Sequence, residues 1–169
     1  SLTAATVGVY VLVMAGATAA VVDAVAACAT WPTCGALGRV TADPQLAVAV
    51  AHRVLAAVVG VLLVWAAASV WRDGGRLVRL GVAIPLLLYP VQVAVGALLT
   101  LTAPTRVVAG GHLAVGVVIF VSLTLALGAL LRERYDGSVE PAPTSRGAAE
   151  GSTPAAPEPG SSPTSTGLR

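Results

Sequence analysis

Residues 43–72 read DPQLAVAVAHRVLAAVVGVLLVWAAASVWR, and their pattern sets the architecture. Asp43-Pro44 is a helix-starting pair, since proline suits the first helical position and an aspartate before it can cap. The run from Gln45 to Trp71 is apolar for longer than the roughly 20 residues that cross a bilayer as helix. It is interrupted by one cation, Arg53, and one imidazole, His52. Three more blocks of the same kind flank it. They run from about Leu2 to Ala27, Leu77 to Leu101 and Arg106 to Leu131.

Four such blocks in 169 residues, with 56% hydrophobic and 11% charged residues, exclude a water-soluble domain. The mean hydropathy of +0.86 points the same way. The expected fold is all-α: a polytopic membrane protein with a four-helix transmembrane bundle. One long connection of about 17 residues and two of about five make neighbouring spans antiparallel, as two hairpins. The first block is too long for the apolar core of a secretory signal, and no basic residue precedes it, so it is read as a span.

Residues 136–169 are different in kind. Pro, Gly, Ser and Thr supply 21 of these 34 residues and no apolar run occurs, so a disordered tail or linker is expected. The membrane domain is therefore assigned to 1–135. A net charge of +2, spread along the chain, argues against a nucleic-acid partner and leaves the lipid bilayer as the main one.

All ten basic residues are arginines. Arg72, Arg76, Arg79, Arg132 and Arg134 lie beside the second connection and the end of span four, whereas only Arg39 and Arg106 lie beside the first and third connections. Positive residues favour the cytoplasmic side, so both termini are expected inside the cell membrane and the first connection outside. Pro85 and Pro90 are expected to kink span three. Gln92, an uncharged polar group within that span, suits a helix contact or the edge of a site. The many small residues, Gly60, Gly81, Gly96 and Gly116 among them, allow close helix contacts.

The two histidines, His52 and His112, each fall near the start of a span that begins on the outer side. At 1.5 Å per residue both lie roughly 7 to 10 Å below that surface, so two imidazoles can face each other at one depth. They are 60 residues apart and each is followed by an apolar run containing a glycine. This suggests a parallel repeat of the two hairpins about an axis along the membrane normal. A structural role for each imidazole and a proton path are the alternatives, but the spans hold few other ionisable groups. Zinc would need further ligands. A haem suits the pattern best, because iron takes two trans imidazoles while the macrocycle buries its faces against Leu, Val and Ala. His52 and His112 are then the candidate axial iron ligands. Arg53 and Arg106, on the outer side, are candidate partners for haem propionates, with snorkelling to headgroups as the other use of such arginines.

The only cysteines, Cys28 and Cys34, bracket Ala-Thr-Trp-Pro-Thr in the first connection. An extracytoplasmic compartment lets a disulfide persist, and a bond there could be structural or redox-active while holding Trp31 over the bundle mouth. Asp23, late in block one, is a candidate cap for the end of that span.

These residues resemble the haem A synthase family, the CtaA-like membrane proteins. The pieces that match are Cys28-Ala-Thr-Trp31-Pro32-Thr-Cys34-Gly35, His52-Arg53, Gln92-Val-Ala-Val-Gly96 and His112, spread over residues 1–135. The resemblance implies one four-helix half of a haem-binding unit, with His52 and His112 as axial ligands and Cys28–Cys34 as the outer disulfide. It implies haem b as cofactor, haem O as substrate and oxidation of its C8 methyl group to give haem A for a terminal oxidase. A homodimer would complete the half-size unit. The family's acidic residue before the His-Arg pair has no counterpart in Val48-Ala49-Val50-Ala51, so the catalytic residues are left unassigned. The alternative is a non-catalytic haem-binding or haem-transfer module at the front of a haem O synthase (protohaem IX farnesyltransferase) fusion. In that case the tail is a linker to a prenyltransferase domain.

Overall fold

A computed structural model describes residues 1–35, 37–72, 74–102 and 105–138. Among them the regular structure is entirely helical: α1 (Leu2–Val21), α2 (Ala24–Ala27), a 3-10 turn (Leu37–Arg39), α3 (Pro44–Val70), α4 (Arg76–Leu101) and α5 (Arg106–Ser138). The helices α1, α3, α4 and α5 are each long and apolar enough to cross a membrane. The chain is a multi-pass helical membrane protein.

Block one is not a single helix. It breaks after Val21, where Asp23 adopts a left-handed conformation at φ 54°, and resumes only as the one-turn α2. Aspartate tolerates that region better than the valines and alanines around it. The expected cap at this position is absent, since the Asp23 side chain makes no capping bond and its contribution is conformational. At the break the Val22 carbonyl accepts a hydrogen bond from Gln45 Nε2 at 2.8 Å, which ties the end of α1 to the start of α3. There Pro44 opens the helix and Asp43 accepts from the Leu46 amide at 3.1 Å, as the sequence predicts.

Both prolines lie inside α4, which is continuous as a helix through Pro85 and Pro90. The Gly75 amide at the start of α4 donates to Glu133 on α5 at 3.4 Å, which places a carboxylate at a helix N-terminus. The last helix runs past Leu131 and takes in Asp136, Gly137 and Ser138. The rest of the expected tail, 139–169, lies outside the described residues.

Around the bundle the neighbours run α1, α3, α4, α5 and back to α1, so α3 and α5 occupy one diagonal and α1 and α4 the other. The outward faces carry large apolar side chains, with Val61 69% exposed, Leu87 72% and Leu125 69%. Hydrocarbon rather than water suits such a surface.

The interior holds two separate apolar cores. The larger packs Leu2, Ala5 and Val9 of α1 with Val59, Leu63 and Ala66 of α3, Val78 and Val82 of α4, and Ile119 and Leu123 of α5. The smaller gathers Ala24, Cys28, Cys34, Leu46 and Ala49 at the cysteine-loop end of the first hairpin. Between them lies the level of both histidines.

Candidate functional site

His52 on α3 and His112 on α5 stand on the two helices that face each other across the bundle diagonal. Each imidazole lies on a glycine of its own hairpin. A methyl group on Gly16 of α1 would sit 3.1 Å from His52 Cε1, and one on Gly96 of α4 would sit 3.2 Å from His112 Cε1. Glycine lets the ring lie this close to a neighbouring helix backbone, where an added methyl would make the ring give by a few tenths of an ångström. The seat is the same twice, which gives the expected hairpin repeat a physical form.

Three buried side-chain atoms among the described residues have no hydrogen-bond partner, and all three belong to this region: His52 Nδ1, His112 Nδ1 and Gln92 Oε1. Native interiors rarely leave buried polar atoms unpaired, which makes this region the candidate site. No group of three His, Cys, Asp or Glu residues occurs among the described residues, so two imidazoles are the metal-binding set on offer. That set suits a metal that brings its other ligands with it, as haem iron does.

Gln92 is the polar residue closest in kind to a third member. Its Nε2 donates to the main-chain carbonyl of His112 at 2.6 Å, and it approaches α5 at Gly116, where a methyl group would lie 3.2 Å away. Of the two uses its sequence position suits, helix contact and site edge, the helix contact is seen here. Gly16 escapes sequence reading. A glycine carries no chemistry of its own, and only the superposition of Gly16 on Gly96 could have found it.

Arg53 does not point to an empty mouth. Its Nη1 donates to the carbonyls of Thr30 (2.7 Å) and Pro32 (3.3 Å) and lies 3.4 Å from Cys34 Sγ, while Nη2 donates to the carbonyl of Cys28 (3.2 Å) and to Thr100 Oγ1 (3.4 Å). One guanidinium thus bolts the cysteine loop to α3 and α4, using the several fixed donors that distinguish arginine from lysine. Cys28 and Cys34 are joined as a disulfide, with Cα atoms 5.2 Å apart, and both are buried. Trp31 is exposed. It borders an open apolar groove of ≈ 670 Å³ along α4, together with Pro90, Val93, Ala97 and Leu101. Arg106 is exposed at the start of α5.

Comparison with known proteins adds a second, independent line of support. No protein-family model matches the chain, and no solved structure matches it. Several curated proteins are similar to it over about three quarters of its length. A protoheme IX farnesyltransferase of Haloarcula marismortui is 48% identical over 127 residues, which is 75% of this chain and 27% of the relative. A protoheme IX farnesyltransferase of Halobacterium salinarum is 43% identical over 127 residues, 75% of this chain and 28% of the relative. Protoheme IX farnesyltransferase 1 of Natronomonas pharaonis is 47% identical over 126 residues, 75% of this chain and 26% of the relative. The chain therefore spans about a quarter of the length of the curated relatives it matches.

Proposed function

We propose that the membrane bundle is the haem-binding unit of a protohaem IX farnesyltransferase system, working in haem O and haem A biosynthesis. His52 and His112 are the residues that would hold its iron. The observation that carries this is the repeated seat: two imidazoles on diagonal helices, each against a glycine, with unpartnered nitrogens in an otherwise apolar bilayer segment. The names of the relatives supply the haem and the farnesyl transfer. They favour the fused-module expectation over haem A synthase activity. The missing carboxylate at Val48-Ala49-Val50-Ala51 agrees with that choice.

The residues present fit a haem. Two neutral imidazoles can ligate, apolar helix faces can cover the macrocycle, and the orphaned atoms at the histidine level ask for a polar or metallic partner. Bound there, haem would supply an iron centre held low-spin by two imidazoles, suited to tight retention and electron transfer. The chain itself does the rest. The glycine seats direct the rings, the helices exclude water, and Arg106 stays available at the end of α5 for a propionate. Arg53 serves propionates only by giving up bonds to the loop, so its first task is to hold that loop. The remaining length of the relatives supports a prenyltransferase partner domain, and a homodimer or a terminal-oxidase assembly partner has no such support. Both chain ends lie on the cytoplasmic side in this reading, with the disulfide loop outside.

Absorption and electron paramagnetic resonance spectra of the purified full chain test the ligation. Wild type is expected to bind one low-spin haem, and His52→Ala and His112→Ala each to lose that signature. An unchanged spectrum in either variant overturns the assignment. Exchanging this chain for the matching segment of the Haloarcula marismortui relative tests the pathway, with retained haem O formation expected.

A further inference from the structure

The helix α4 carries neither histidine, yet besides Thr100, which accepts from Arg53, it sends a polar donor to each of the helices that do. Tyr89 donates its hydroxyl to the main-chain carbonyl of Ala56 on α3, four residues after His52. Gln92 donates to the carbonyl of His112 itself on α5, at 2.6 Å. Three residues apart on α4, the two side chains leave it about 60° apart around the axis and reach different neighbours from nearly one level. Each crosses at a glycine. A methyl group on Gly60 would sit 3.1 Å from Tyr89 Cε1, and one on Gly116 would sit 3.2 Å from Gln92 Nε2.

The opposite diagonal helix offers no equivalent. The register that lays Gly16 over Gly96 lays Val9 over Tyr89 and Leu12 over Gln92, both apolar. Main-chain carbonyls in a transmembrane helix are already bonded within it. A further donor to them adds nothing to satisfaction and much to location, because it fixes where one helix stands and how it is rotated. Sheer packing would be served by leucine at both positions, as at Leu12.

We infer that α4 is the spacer that sets the separation and facing of the two imidazoles, with Tyr89 and Gln92 as its positioning residues. The purpose of that spacing rests on the proposed haem ligation, but the spacing itself does not. The test separates the two. Spin labels on cysteines introduced at exposed Val61 of α3 and exposed Val118 of α5 report the distance across the diagonal. The native cysteines are occupied by their disulfide. In haem-free protein the wild type is expected to give one narrow distance distribution, and Tyr89→Phe combined with Gln92→Met a broad one. In haem-loaded protein Gln92→Met is expected to shift the resonance signature of the low-spin iron and to weaken haem retention about tenfold, the scale of one hydrogen bond.

Distances and spectra superimposable on wild type overturn the inference, even if thermal stability falls, since a merely structural bond would lower stability alone. If Gln92→Met does not accumulate, Gly116→Ala keeps the amide but presses on it, and the same two readouts decide. Low-spin haem surviving in His52→Ala would overturn the ligation and leave the distance result to stand for the spacer by itself.

Discussion

The two hairpins hold their histidines alike and support them differently. In both, an imidazole lies on a glycine of the partner helix. In the first, the loop end is closed by α2, a disulfide and a small apolar core, with Arg53 bonded across the loop. In the second, the connection is short, α4 has no fully buried side chain past Pro85, and the residue at the place of Arg53 is Leu113. The stabilising bond there is the Gln92 amide, at a position where the first hairpin has Leu12. The shared part is the ring laid against a glycine of the neighbouring helix. The unshared part is the disulfide-bonded loop and its small core, which belong to the first hairpin alone.

The likeness is most easily destroyed at the seats. Gly16→Leu and Gly96→Leu should damage haem binding to a similar degree, since each drives a side chain into a ring; overpacking of this kind costs about 1 to 3 kcal/mol, roughly ten- to a hundredfold in affinity. Haem titration of the detergent-solubilised variants measures it, and a loss confined to one hairpin would end the idea of a repeated seat. Next in size is the disulfide. Replacing Cys28 and Cys34 by serine should cost the first hairpin about 2 to 3 kcal/mol, as expected for closing so short a loop. Hydrogen exchange should rise around Thr30 and α2 and stay unchanged along α4 and α5. Smallest is Arg53→Lys, which keeps the charge but loses the fork that reaches three carbonyls. A loss of about 1 kcal/mol confined to the cysteine loop is expected. Haem affinity falling more than loop stability would return Arg53 to propionate binding.

Much of this is legible in the residues. Span number and approximate limits follow from apolar length, and Asp43-Pro44 marks the N-terminus of α3. The pairing of His52 with His112 comes from depth alone. The parts that stay hidden share a cause, in that their chemistry belongs to the main chain. The acceptors of Arg53, Tyr89 and Gln92 are largely backbone carbonyls, which every residue has and no sequence pattern reveals. Asp23 marks the end of the first span in the sequence, but that the helix breaks there and resumes is a matter of φ, which polarity does not reveal. Gly16 is hidden by register: 36 residues separate it from His52, against 16 between Gly96 and His112, so a fixed-period search misses the match.

The separation of the interior into two cores has a kinetic meaning. Packing energy is concentrated above and below the histidines, so the free energy of local opening should be lowest at the level between them. On the proposed function, a flat macrocycle reaching that level would have to part the two hairpins there and break the Tyr89–Ala56 hydrogen bond that crosses between them, while the larger core at the end away from the disulfide holds the four helices together.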